Sequence, residues 1–140
     1  MRFMLLVKAT GRSEAGVPQS PEYRLAKEAN LASMTEAGVL LAAERLLPSS
    51  GGIRLAYSPE GETETECGPF PADSGLLAEY MVIEAGTMEE ALGWARRLAA
   101  PTECGPVEVE LRELADGSEG LRNAGMESDL AFQLGMLRRA

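Results

Sequence analysis

Two clearly signalled helix starts, each standing between two runs of strand-forming residues, restrict the fold of this chain more than any other feature. Ser20-Pro21-Glu22 is the first. The serine oxygen can accept an orphan N–H, proline suits the first helical position, and the glutamate suits the positive end of the helix dipole. This helix is expected to run to about Ala37, where Gly38 fits the left-handed position that ends it, with Leu25, Ala29 and Ala32 as a small-residue face against a sheet. Thr87-Met88-Glu89-Glu90 is the second start, a capping box in which the threonine and Glu90 each satisfy a helix-start donor. Behind it Met88, Ala91, Leu92, Ala95, Leu98 and Ala99 recur at the helical period, and Pro101 stops the helix.

The strands are read from the runs around these helices. Residues 3–7 are continuously apolar, as expected of a strand covered on both faces, and residues 39–43 and 76–84 are further apolar runs. Residues 107–112 alternate cleanly, so this strand has one buried and one wet face. Residues 10–19 hold Gly11, Gly16 and Pro18 and read as a surface loop. Residues 53–57 and 62–66, joined through Ser58-Pro59-Glu60-Gly61, read as a hairpin with an acidic returning strand. With that hairpin set aside, the order is β-α-β followed by β-α-β. The expected fold is therefore α+β, a ferredoxin-like (βαββαβ) sheet with helices on one face and an inserted β-hairpin. Beyond Asp116, residues 117–125 read as a linker, and Met126, Leu130, Leu134 and Leu137 form a C-terminal helical stripe. The expected organisation is one domain over residues 1–116, then a linker and amphipathic helix over 117–140.

Charge and composition then exclude several functions. The 140 residues, 45% hydrophobic and 25% charged, suit one globular domain, and with three Phe, three Tyr and one Trp its core must be largely aliphatic. A net charge of −9 repels phosphate, which argues against direct nucleic-acid binding and against an anionic membrane surface. The apolar start is too short for a secretory core of roughly 7–15 residues or a membrane helix of about 20. A cytoplasmic location with free thiols at Cys67 and Cys104 is expected. There is no histidine, so Ser-His-Asp and Cys-His catalysis and His-ligated metals are excluded. No phosphate-loop, haem or metal motif is present, and neither a cofactor nor a metal is expected.

Several polar residues remain that can bind or react. Cys67-Gly68-Pro69-Phe70 is a turn by its own chemistry, with Phe70 as an anchor in the core; alternatively, it forms a pocket rim that aims backbone N–H groups and Cys67 at a ligand. Residues 102–106 repeat the Thr-Glu-Cys-Gly-Pro of residues 65–69, so a shared role for Cys67 and Cys104 is one reading and two inert thiols the other. Glu62, Glu64 and Glu66 share one strand face, as a cation site or as a solvated, aggregation-resistant edge. Glu44, Arg54, Asp73 and Tyr80 stand near strand ends. An arginine can hold a ligand carboxylate in a bidentate fork and a neighbouring Glu or Asp can act as base; a surface Arg54–Glu44 ion pair is the plainer alternative.

The ordered motifs also resemble a known family. Residues 2–7, the run Ala37-Gly38-Val39-Leu40-Leu41-Ala42-Ala43-Glu44, Leu47-Pro48-Ser49-Ser50, the turn at 65–70, residues 88–95 and residues 107–112 are similar, in this order, to YCII-related proteins of the DGPF-motif group. The resemblance covers residues 1–114, with Cys67 where the signature carries aspartate. It implies a dimeric α+β barrel type of assembly, a homodimer formed through the sheet face. Its wider group includes enzymes, ligand binders and domains attached to transcription sigma factors. A His-Asp pair has been proposed for related proteins, and this chain has no histidine to supply one.

Three functions follow as expectations. The first is a dimeric small-metabolite-binding or accessory protein, with Arg54, Cys67, Gly68, Pro69, Phe70 and Tyr80 at the ligand. The second is a small-molecule enzyme, an isomerase, lyase or cofactor-independent oxidoreductase, using Cys67, Asp73 or Glu44. The third is a partner-docking module linked to transcription regulation, acting through the C-terminal stripe.

Overall fold

The computed structural model describes residues 1–72, 75–98 and 107–115. In chain order these form β1 (Arg2–Lys8), α1 (Gly11–Glu14), α2 (Pro21–Glu36), β2 (Leu40–Arg45), a 3-10 turn (Ser49–Gly51), β3 (Ile53–Tyr57), β4 (Thr63–Cys67), β5 (Leu77–Glu84), α3 (Met88–Arg96) and β6 (Val109–Glu113). Asp73, Cys104 and the expected C-terminal helix lie outside the described residues.

The main sheet has the order β2-β5-β1-β6, and every neighbouring pair is antiparallel. This is the ferredoxin-like order: α2 carries the chain from β1 across β5 to β2, and α3 carries it from β5 across β1 to β6. Strands β3 and β4 form a separate two-stranded sheet inserted between β2 and β5.

The helix starts form as their sequences predict. The Ser20 side chain accepts from the N–H of Tyr23 at 3.2 Å with Pro21 opening the helix, and Gly38 takes φ +75° just beyond its end. At α3 the Thr87 hydroxyl accepts from the Glu90 N–H at 3.1 Å. The Glu90 carboxylate reaches back to the Gly86 N–H at 2.7 Å, one residue further than a regular capping box. Residues 10–19 hold more structure than a loop. Thr10 and Ser13 cap each other, at 3.1 and 2.8 Å, and close the single turn of α1.

Strand alternation assigns the two faces of the sheet. Phe3, Leu5, Met81 and Ile83 point inward and are buried, with Val7, Leu40, Ala43 and Leu111 beside them. Leu31 and Met34 of α2, and Ala91, Trp94, Ala95 and Leu98 around α3, cover this layer. The inward face of α2 corrects the expectation from sequence. Leu25 is 68% exposed and Ala29 and Ala32 are also exposed, while Tyr23, Lys27, Asn30, Leu31 and Met34 turn toward the sheet. Those five follow the helical spacing just as well, and the larger Leu31 and Met34 bury more apolar surface than two alanines would. Met88 and Leu92, placed in the α3 stripe by periodicity, are exposed, and Trp94 takes the inward position.

The opposite face of the sheet carries Met4 and Leu6 from β1, Tyr80 and Val82 from β5 and Ala42 from β2, all half-buried in the single chain. The β3–β4 hairpin has a mixed character. Ile53–Cys67, Leu55–Thr65 and Tyr57–Thr63 pair across an uncharged exposed face, and Arg54–Glu66 and Ala56–Glu64 pair across the other.

Candidate functional site

The polar residues gather in two places. The first is where the turn at 67–70 meets the loop after β2. Phe70 is buried, and Gly68–Pro69 is a cis peptide. The Gly68 N–H donates to the Gly52 carbonyl at 2.9 Å. A Cβ on Gly68 would stand 1.7 Å from the Ser49 carbonyl oxygen, so only glycine fits there. Ser49 holds the two loops together. Its hydroxyl donates to the Glu14 carboxylate, its N–H donates to the same group at 3.0 Å, and its oxygen accepts the Phe70 N–H at 2.9 Å. The Arg54 guanidinium lies 4.0 Å from the centre of the Phe70 ring, a cation–π contact. Arg54 and Phe70, with Glu14, Ser49 and the apolar Leu46 and Leu76, border an open hollow of about 450 Å³. Cys67 stands exposed at the end of β4.

The second place lies between α2 and the sheet. Glu79 follows the inward alternation of β5, in phase with Met81 and Ile83, and is only 5% exposed. A lone carboxylate there would lose its hydration without return. Lys27 answers it from α2, with Nζ 2.6 Å from Oε1 of Glu79. Asn30, one turn further along α2, donates from Nδ2 to the Arg97 carbonyl at 2.9 Å and ties α2 to the end of α3.

This ion pair stands at the junction of two hollows. The inner one, of about 200 Å³, is walled mainly by Val7, Leu31, Met81, Leu98 and Val109, with Tyr23, Lys27, Asn30 and Glu79 as its polar groups. The outer one, of about 510 Å³, is bordered by Arg24, Lys27, Glu28, Glu44, Arg45 and Glu79. The inner chamber alone is smaller than a usual small-molecule site of roughly 300–1,000 Å³, whereas the two together fall inside that range. An apolar recess with a few convergent polar groups can orient a small molecule, and a contacting ammonium and carboxylate can also exchange a proton with it.

The candidates named from sequence are therefore distributed. Arg54, Cys67, Gly68, Pro69 and Phe70 come together around the turn. Glu44, at the strand edge that borders the outer hollow, pairs with Tyr80 across the β2–β5 ladder, so its side chain shares the sheet face of Tyr80 rather than that of Glu79. Tyr80 itself belongs to the opposite sheet face. Among the described residues no group of three or more acidic or cysteine side chains is arranged to hold a metal, and the acidic strand at 62–66 is exposed. No described helix is long and apolar enough to cross a membrane.

Sequence reasoning passed over Lys27 and Glu79. A signal was present in each case: Glu79 interrupts the inward phase of an otherwise apolar strand, and Lys27 lies one turn from both Tyr23 and Leu31 on α2.

The family model described as YCII-related domain matches residues 1–114. None of the curated proteins matches the chain. Among solved structures, similarity extends to 5-chloro-2-hydroxyhydroquinone dehydrochlorinase (TftG) from Burkholderia phenoliruptrix AC1100 in complex with 2,5-dihydroxybenzoquinone. The TM-score is 0.47 and the identity 14%, over 84% of this chain and 97% of that one.

Proposed function

Since the chain belongs to the YCII-related domain family, we propose that it is a small-metabolite-binding protein whose ligand occupies the cleft between α2 and the sheet, anchored by Lys27 and Glu79. The observation that carries this reading is the 2.6 Å ion pair on the wall of an apolar chamber, with Glu79 inside the core alternation. Buried ion pairs add little stability over apolar residues of the same volume, so one facing a cavity is better suited to orienting a ligand than to holding the fold. The protein acts as a homodimer in which the half-buried apolar face formed by Met4, Leu6, Ala42 and Val82 meets its counterpart.

A second reading, an isomerase or lyase, has one observation in its favour. Lys27 and Glu79 place a proton donor and a proton acceptor in contact at the chamber wall, which Cys67 on the exposed hairpin does not. In that reading the pair carries the acid–base work.

Native mass spectrometry of the freshly purified protein tests the binding reading. The expected spectrum is a dimer carrying an added mass that denaturation releases. The doubly substituted Lys27→Met/Glu79→Leu protein should give the same dimer without that mass. An adduct retained in the double variant would place the ligand elsewhere, and a monomer would overturn the sheet-face dimer.

A further inference from the structure

We propose that the ligand of the α2 cleft is a small carboxylate with an apolar body. The body enters the inner chamber, and the carboxylate stays in the outer hollow, held by the guanidiniums of Arg24 and Arg45. This inference rests on the binding reading above and adds the chemical class.

The two hollows share Lys27, Leu31 and Glu79, so one molecule can reach into both. The inner chamber offers aliphatic walls and a volume of about 200 Å³, room for a branched aliphatic chain or one ring but not for a fused ring system. The head group of such a molecule is left in the outer hollow, where the charges lie.

Strand register sorts those charges. Arg45 stands directly opposite Glu79 in the β2–β5 ladder and shares its sheet face, whereas Glu44 turns with Tyr80 to the other face. Arg24 and Glu28 border the hollow from α2, on either side of Lys27 in sequence. Lys27 and Glu79 are matched to each other at 2.6 Å and cancel. Two guanidiniums then face the single carboxylate of Glu28, and among the described residues none of Arg24, Arg45 and Glu28 forms an ion pair.

The rim therefore carries one positive charge in excess, which one negative charge on a ligand offsets. A cation entering the hollow meets more like charges than opposite ones. The planar fork of a guanidinium matches a carboxylate in two parallel hydrogen bonds, and arginine stays charged at any ordinary pH. The chain as a whole is acidic, with a net charge of −9, yet exposed charges beyond about 8 Å are largely screened at physiological ionic strength. The two arginines at the rim thus outweigh the distant acidic residues.

The test titrates the full-length protein with 4-methylpentanoate, 4-methylpentanamide, isoamylamine and isoamyl phosphate, which share one branched body and differ in the head group. Binding is followed by amide chemical shifts. The carboxylate should shift amides of α2 near Lys27 and of β5 near Glu79. The neutral amide and the amine should bind about fivefold more weakly or worse, and the phosphate, whose second charge meets Glu28, no more tightly. Arg24→Gln/Arg45→Gln, two substitutions at exposed positions, should weaken the carboxylate by a similar factor and leave the neutral amide unchanged. If the neutral amide or the amine matches the carboxylate, if the phosphate exceeds it, or if the arginine variant binds it undiminished, the carboxylate inference falls and the cleft remains the site. If none of the four shifts the cleft amides, the cleft reading falls with it.

Discussion

Lys27→Met is the most informative substitution in this protein. Methionine keeps much of the lysine stem and removes the charge, leaving the 5% exposed Glu79 carboxylate without the partner 2.6 Å away. Removing one member of a buried pair costs about 3–5 kcal/mol. The Lys27 side chain retains 17% exposure, so water reaches one end of the pair and the lower figure, about 3 kcal/mol, is expected. In a domain of this size that lowers Tm by roughly 10–15 °C. Glu79→Leu should cost less, because an unpaired lysine can extend its ammonium to solvent while Glu79 on a central strand cannot follow. The double variant leaves no buried charge and should lie within about 1 kcal/mol of the native protein. Urea unfolding at one fixed protein concentration, followed by the fluorescence of the single Trp94, gives all four stabilities and the coupling between the sites. Two single variants each costing under about 1 kcal/mol, with an additive double, would mean a solvated surface bridge. The reasoning from Glu79 burial would then be wrong.

Three further outcomes are expected. Gly68→Ala should lower stability by about 3 kcal/mol or more, since a Cβ 1.7 Å from the Ser49 carbonyl forces backbone to move; an unchanged thermal midpoint would show that the two loops do not pack as described. Ser49→Ala removes the hydroxyl bonds to Glu14 and from the Phe70 N–H, and a loss of about 1–3 kcal/mol in urea unfolding checks this. Val82→Asp places a carboxylate in the open sheet face and should convert the proposed dimer to monomer in sedimentation velocity; a persistent dimer would place the interface elsewhere.

The sequence was most legible where one local rule acted alone. Ser20-Pro21 and Thr87 fixed both helix starts because capping depends on neighbours within one turn. The six strand-forming runs and their spacing led directly to the ferredoxin-like order, and Gly68-Pro69-Phe70 read correctly as a turn with its aromatic ring buried. Reading failed where two stripes competed. On α2, Leu25-Ala29-Ala32 and Tyr23-Lys27-Leu31-Met34 both keep helical spacing, and the charge on Lys27 gives the latter stripe the character of a wet face. Only the carboxylate across the cleft makes it an inward residue, and that partner lies 52 positions further along the chain, at Glu79. The Glu14–Ser49 clasp was hidden for a similar reason. It needs a one-turn helix, too short for periodicity to reveal, to meet a loop from beyond β2. Charged residues in buried phases are thus where local pattern and tertiary contact disagree, and here the disagreement marks the cleft.

The position of the β3–β4 hairpin has a consequence for how this fold can vary. Its two ends leave and rejoin the sheet side by side: Arg45 pairs with Glu79, and the Leu46 N–H donates to the Ala78 carbonyl at 2.8 Å. The intervening residues occupy what the bare topology needs only as a tight turn between adjacent antiparallel strands. Because the ladder already holds the ends together, each doubling of the segment costs only about 0.6 kcal/mol in closure entropy. The junction is therefore a port for modular exchange. Segments of different length and chemistry can be grafted there without rewiring the sheet, whereas the α2 and α3 crossovers must keep their reach.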